Sequence, residues 1–395
     1  MRILFLTYYF RPDLCAGSFR NSSLFEELCS QLGKDDYIHV IASMPNRYSS
    51  YKVNGDAEER GDNYRINRVA VPQHKSGMGE QAYSYVAYYK GVMKLIKNEQ
   101  YDLVYASSSR LFTAFLGKRC AAKINAPLYL DIRDIFIESI RDILGNRRLI
   151  QIPLVWCLKL IEYYSFRNAT HINLISGGFK SYFKKYPKPK YSEFTNGIDE
   201  VFIEAGKKET SMKTQAPYII TYAGNIGGCQ GLEKIIPEAA KRLDGKYLFR
   251  IIGDGSTKKI LTDKLKELQV RNVEILNPMQ REKLIDYYLQ TDFFFFHLNN
   301  MEAYEKVMPS KMFEYGAFDK PIIAGVSGFA RQFINQYVCN SIVFDPADVE
   351  GFVHALKGYQ MHNVKRDDFV RRFARTVINA EMAKSIIDII HSKNF

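Results

Sequence analysis

The stretch Tyr218–Leu243, YIITYAGNIGGCQGLEKIIPEAAKRL, decides how this chain folds. A short run of aromatic and β-branched residues ends in a turn containing Gly224, Gly227, Gly228 and Gly231, and a helical pattern begins at Leu232. Strand, glycine turn and helix in that order form the repeating unit of a parallel sheet.

The same alternation continues in both directions. Downstream lie YLFRIIGDG, a helical pattern from Thr257 to Leu268, VEILNP, a helix near Glu282 to Leu289, DFFFFHL, PIIAG, SIVFD and carboxy-terminal helices. Upstream lie RILFLTYY, a helix from Ser22 to Leu32, YIHVIAS, DLVYASS, a helix from Phe112 to Ile124, PLYLDIRD, a helix from Asn146 to Phe166 and THINLIS. Between the two series, EAGKKETSMKTQAP reads as a polar linker. The expectation is α/β: two doubly wound Rossmann-like domains, 1–205 and 206–379, facing each other across a cleft, with a terminal helix at about 380–395 packing back on the first. Ligands in such sheets bind beyond the carboxyl ends of the strands, so the cleft is the expected site.

Composition narrows the partners. The 395 residues are 46% hydrophobic and 25% charged, with 55 Lys and Arg against 43 Asp and Glu, a formal charge of +12. Such a balance belongs to globular chains and excludes disordered and collagen-like classes. A cationic surplus suits nucleic acid, an anionic membrane or a phosphorylated ligand. No stretch is long and apolar enough for a spanning helix, the first residues read as a buried strand rather than a leader, and the six cysteines are scattered. Helix-turn-helix, zinc-finger and RNP-like signals are absent, so no nucleic-acid partner is expected.

Three clusters carry chemistry. In the glycine turn, Gly224, Gly227, Gly228 and Gly231 lie where backbone N–H groups and a helix N-terminus can hold a diphosphate. A plain turn needing positive φ is the other reading. Gly253 and Asp254 form a second such turn. In EKVMPSKMFEYGAFDKPIIAG, Ser310 reads as an N-cap, placing Lys311 in the first helical turn and Glu314 one turn on. A lysine there neutralises phosphate, and a carboxylate there accepts from sugar hydroxyls. Solvated side chains on a capped helix are the alternative.

These blocks, with FTNGIDEVF, resemble the retaining glycosyltransferases of family 4, which have the GT-B architecture, over almost the whole chain. Within that family the closest resemblance is to the branch moving N-acetylfucosamine-type amino sugars in surface-polysaccharide assembly. The resemblance implies donor-diphosphate contacts at Lys311, Ser310 and Lys306, and a catalytic role for Lys311 and Glu314. Where the family carries an Arg and a Lys in the glycine turn, this chain has Asn225 and Gln230, and only the second glutamate of the Glu-x7-Glu pair, Glu314, is matched. It further implies a role for Gly17 beside the donor, for Arg133 and Asp134 at a catalytic strand end, and for Glu138 toward the acceptor. A structural ion pair is the other reading of Arg133. The implied enzyme is metal-independent and uses no cofactor, the nucleotide-sugar being its substrate. A polyprenyl-diphosphate-linked or oligosaccharide acceptor, an anionic membrane surface and a cytoplasmic, peripheral location on the inner face of the membrane are expected with it. A nucleotide-sugar epimerase on the same fold is the alternative enzyme, and a basic nucleic-acid-binding protein the alternative from another class.

The membrane expectation rests on the stretch Gln81–Lys97, where an apolar stripe opposes Lys90, Lys94 and Lys97, and on Arg147, Arg148, Trp156 and the KKYPKPKY loop. A core-facing helix with solvated lysines reads the first feature equally well.

Overall fold

The computed structural model describes residues 1–45, 55–72, 78–108, 111–145, 148–208 and 213–392. Residues 209–212 of the expected linker lie outside the described residues, as do Asn146 and Arg147. The chain divides into two compact units, Met1–Asn196 with Thr376–Phe395, and Gly197–Arg375.

The first unit is built on an eight-stranded sheet in the order β3-β4-β2-β1-β5-β6-β7-β8. Its strands are β1 (Arg2–Thr7), β2 (Tyr37–Ser43), β3 (Glu58–Arg60), β4 (Tyr64–Val69), β5 (Leu103–Ser108), β6 (Leu128–Ile132), β7 (His171–Leu174) and β8 (Lys190–Ser192). Among the described residues only β3 pairs antiparallel. β1 is buried from Ile3 onward and reads as a continuous apolar run because helices cover both faces of the sheet. Ile3, Phe5, Val40 and Tyr105 pack with Leu24, Phe25 and Leu28 of the helix Ala16–Gln31 and with Met382, Ala383 and Ile386 of the helix Arg375–His391. Each of the Val, Leu, Ile, Phe and Met side chains among them contributes roughly 1.5–3 kcal/mol by leaving water. The last helix is therefore part of the first unit's core.

Sequence periodicity missed β3 and β8, which are three residues each, and β4, whose six residues YRINRV are interrupted by Arg65, Asn67 and Arg68. It also placed the first helix too late. That helix starts at Ala16, so Gly17 and Ser18 belong to its first turn and not to a loop.

A buried ion pair fixes this helix to the sheet. Arg20 Nε donates to Asp131 Oδ2 at 2.9 Å and its other nitrogens reach Asp131 Oδ1 at 3.0 Å, Thr195 O at 2.6 Å and Phe194 O at 2.8 Å. Asp131 also accepts from Asn173 Nδ2 at 2.7 Å and the Tyr105 hydroxyl at 3.2 Å. Burial opposes ionisation of Asp131, but Arg20, the Asn173 hydrogen bond and the charge of Arg133 outweigh it and hold the carboxyl below its ordinary range.

The second unit has the parallel order β11-β10-β9-β12-β13-β14. Its strands are β9 (Tyr218–Asn225), β10 (Tyr247–Asp254), β11 (Val273–Leu276), β12 (Phe293–His297), β13 (Ile322–Gly325) and β14 (Ser341–Phe344). Strand order reverses between β9 and β12, as it does between β1 and β5 in the first unit. Such reversals leave a crevice at the strand ends. The glycine turn that follows β9 therefore leaves its sheet at the switch point.

This unit begins at Gly197, ahead of the division at 205/206 read from the sequence. The helix Glu200–Gly206 belongs to it, because Phe202 stacks on Tyr288 at 5.8 Å and Asp199 is ion-paired with Arg281 and Arg375.

Candidate functional site

In the second unit the glycines have separate physical reasons. Gly224 and Gly253 are paired across β9 and β10 with φ of +152° and +156°, and a Cβ on Gly253 would overlap the carbonyl oxygen of Gly224. Gly253 therefore serves strand approach. A Cβ on Gly224 would instead overlap Cε of Lys311. The absent side chain of Gly224 is the space that Lys311 occupies.

Lys311 opens the helix Lys311–Gly316, and the hydroxyl of Tyr315 on that helix accepts from the Ala223 N–H of β9 at 3.0 Å. The hydrogen bond docks the helix against the end of β9. Ser310 stands at the N-cap position but does not cap: its backbone is already helical, φ −62° and ψ −27°, and its side chain makes no capping bond. Extended backbone at that position is what lets a serine hydroxyl reach back. Glu314 follows one turn on, 3.4 Å from the Tyr288 hydroxyl that donates to it. Lys306 ends a separate short 3-10 helix, Glu302–Lys306.

The turn itself is held from outside. Asn225 Nδ2 donates to Gln230 Oε1 at 2.9 Å, so the two residues at the positions where cations are expected bond each other. Asn299 Nδ2 donates to Gly228 O at 2.9 Å, and its backbone N–H to Cys229 O at 2.8 Å. His297 is buried at the end of β12; its Nδ1 donates to Gln230 O at 2.5 Å while Nε2 accepts from the Ala347 N–H at 2.8 Å. Burial pushes this imidazole down to about 4, so it is neutral at physiological pH. The N–H groups of Ile226, Gln230 and Gly231 are spent on Asp254 O and Gly227 O, which removes them from the donors a ligand could use. Gly227 has no room for a side chain beside Asn225 Nδ2, and Gly231, at φ +58°, starts the helix Leu232–Arg242. Asp254 accepts from the Gly255 N–H at 2.9 Å and shapes its own turn. Asn299, His297 and Tyr315 were not singled out from the sequence, because nothing local marks a residue that supports a distant loop.

In the first unit Gly17 faces Arg133: a Cβ there would overlap the guanidinium. The ion pair expected as the structural reading of Arg133 is made instead by Arg20. Arg133 Nε is buried without a hydrogen-bond partner among the described residues, and burial lowers the affinity of the guanidinium for its proton, with Asp131 opposing that shift and Arg20 adding to it. Asp134 accepts from the Ser139 hydroxyl at 3.2 Å, and burial pushes its carboxyl up to about 6. Glu138 is partly buried in the helix Phe136–Leu144 next to Ser139. Gly17, Arg133, Asp134 and Glu138 thus lie in neighbouring stretches at the strand ends.

The remaining candidates separate. Lys90 and Lys94 are exposed on the helix Met78–Leu95, as are Ala82 and Val86 of its apolar stripe, but Tyr85 and Val92 of that stripe are core residues, as is Tyr88, whose hydroxyl donates to Thr7 O and Ile41 O. Trp156 is exposed on another helix, Arg148–Phe166. Among the described residues no three His, Cys, Asp or Glu side chains converge on a metal position.

A strand-end glycine turn under a lysine, with a carboxylate one turn further, can hold a phosphorylated ligand and a hydroxylated group next to it. Among curated proteins the chain is 24% identical over 165 residues to the putative colanic acid biosynthesis glycosyl transferase WcaI of Escherichia coli, a match covering 41% of this chain and 40% of that relative's length. Among solved structures, Anabaena HepE in complex with UDP-glucose superposes with a TM-score of 0.68 at 14% identity, covering 98% of this chain and all of that one. WaaG, a glycosyltransferase involved in lipopolysaccharide biosynthesis, gives a TM-score of 0.63 at 14% identity over 99% of this chain and 98% of its own. The fold is the GT-B fold, and residues 205–374, which contain the glycine turn and Lys311, match the family of glycosyl transferases group 1.

Proposed function

We propose that the protein is a glycosyltransferase that moves a sugar from a nucleotide-sugar donor, UDP-linked, to a lipid-linked or oligosaccharide acceptor in the assembly of a bacterial surface polysaccharide. The observation that carries this reading is Lys311 lying over Gly224, within a stretch that matches glycosyl transferases group 1. UDP and UDP-glucose are bound by the HepE structures that share the fold, and WcaI and WaaG are named for colanic acid and lipopolysaccharide biosynthesis.

In this reading the bond between the anomeric carbon and the donor phosphate oxygen breaks through an oxocarbenium-like state. Negative charge grows on the departing diphosphate, where Lys311 and the positive end of the helix Leu232–Arg242 stabilise it. Glu314 accepts from hydroxyls of the donor. The acceptor hydroxyl attacks from the same face and passes its proton to a phosphate oxygen, so configuration is retained and no metal is required. Arg133 and Asp134 are read as catalytic residues and Gly17 as a donor-binding one. The sugar is of the amino or deoxy type, and the enzyme works in the cytoplasm.

The test is transfer by the purified chain from a panel of UDP-, GDP- and ADP-sugars to a membrane-extract acceptor, with the anomeric configuration of the product read by NMR. Conversion of a donor without acceptor would identify an epimerase, and no reaction with any donor would overturn the assignment.

A further inference from the structure

The helix Arg148–Phe166 is apolar on both sides. Val155, Leu158 and Phe166 point into the core, while Leu149, Ile152, Trp156, Leu160 and Tyr163, spaced at helical intervals on the other side, are 93%, 66%, 63%, 51% and 52% exposed. Solvated faces of helices are ordinarily polar, and a continuous apolar stripe left open marks an interaction surface. On the Met78–Leu95 helix, by contrast, Tyr85, Tyr88 and Val92 are covered, Val86 is exposed, and Lys90 and Lys94 face water.

Charge around the stripe identifies the occupant. The single acid of this helix, Glu162, is buried, and its carboxylate is taken by the hydroxyls of Tyr182 (2.7 Å) and Tyr186 (2.7 Å) and by Lys185 Nζ (2.8 Å). The exposed face therefore carries no carboxylate. Lys159 borders it, and the Arg167 guanidinium sits 4.9 Å from the Tyr163 ring centroid at its end. Tyr163 also meets the ring of Tyr186 at 6.4 Å, which brings the exposed Lys184 and Lys188 to the same end. Leucine, isoleucine and tryptophan beside lysine and arginine, with tyrosine at the margin, is the composition of a helix lying in a lipid interface. Among the described residues no helix is long and apolar enough to cross a membrane.

We propose that the outward stripe of the helix Arg148–Phe166 seats in the surface of an anionic lipid bilayer, Trp156 at its centre and Lys159, Arg167, Lys184 and Lys188 on the headgroups. Of the two features that suggest a membrane in the sequence, this surface takes Trp156 and the KKYPKPKY loop and not the Met78–Leu95 helix. The proposal is independent of the transferase reading, since lipid binding is measured without donor or acceptor.

Trp156 is the one tryptophan of the chain, so intrinsic tryptophan fluorescence reads this helix alone. The full chain is titrated with phosphatidylglycerol-containing vesicles and with pure phosphatidylcholine vesicles. The expected result is a blue shift and protection from acrylamide on the anionic vesicles, weakened by salt. Ile152→Glu/Leu160→Glu changes two exposed positions and keeps the fluorophore; it retains the thermal transition and weakens partitioning by about tenfold or more. No shift on anionic vesicles overturns the proposal. So does Trp156 already shielded from acrylamide without lipid in a species that sediments as a dimer, because a second copy would then cover the stripe.

Discussion

The side chain of Lys311 lies in the volume that a Cβ on Gly224 would fill. One residue comes from the end of β9 and the other from the first turn of the helix Lys311–Gly316, and the Ala223–Tyr315 hydrogen bond holds the two elements together. If Lys311 meets the donor diphosphate, its removal is felt in turnover and not in folding. Lys311→Ala is expected to lower transfer by roughly 10²–10³-fold with an unchanged thermal transition. Gly224→Ala displaces the lysine and costs about 1 kcal/mol for its backbone conformation. In the Lys311→Ala background Gly224→Ala should leave the residual transfer rate unchanged, and a double-mutant cycle in kcat/KM measures that coupling. Full activity in both single variants would remove Lys311 from the site.

Asn225 and Gln230 neutralise each other's hydrogen-bonding capacity in place of carrying charge. Asn225→Arg/Gln230→Lys adds two cations to the turn and is expected to tighten UDP binding by about tenfold at low salt, read by calorimetry with and without added salt. Gln230→Ala alone costs about 1 kcal/mol through the lost Asn225 bond, visible in denaturant unfolding.

Arg20 and Asp131 are 1% and 0% exposed, and removing one partner leaves the other charged and buried. Asp131→Ala is expected to destabilise by about 3–5 kcal/mol, whereas Arg20→Met/Asp131→Leu is milder than either single change predicts. Urea unfolding of the three variants distinguishes a necessary ion pair from a replaceable one.

Two buried groups give stability opposite dependences on pH. His297 is pushed down to about 4 from an ordinary 6.5, so the unfolded chain binds its proton first, and the stability it confers is lost as pH falls from 6.5 toward 4. The span corresponds to a contribution on the order of 3 kcal/mol. Asp134 is pushed up to about 6 from 3.8, so the folded state holds the proton longer, and its effect lowers stability as pH rises from 4 to 6. Thermal transitions from pH 4 to 8 should therefore lose part of their acid-side slope in His297→Asn and steepen there in Asp134→Asn. His171, also pushed down to about 4 by burial, adds to the His297 trend in the wild type.

Much of this protein is local in origin and was legible in the sequence. The apolar runs that end in glycines, the helical patterns between them and the PSKMFEY block specify two parallel sheets and place Lys311 and Glu314 on one helix, because strand and helix periodicity are set by near neighbours. Contacts across the chain decided the rest. His297, Asn299 and Tyr315 hold the glycine turn through bonds to residues far away in sequence, and Asp131 chose Arg20 over Arg133 because the helix Ala16–Gln31 carries Arg20 onto β6. The helices Met78–Leu95 and Arg148–Phe166 show the same limit. Both carry apolar stripes, but how much of each is covered depends on what the rest of the fold packs against it, and only the tertiary structure buries Tyr85, Tyr88 and Val92 on the first while leaving Leu149, Ile152 and Trp156 open on the second.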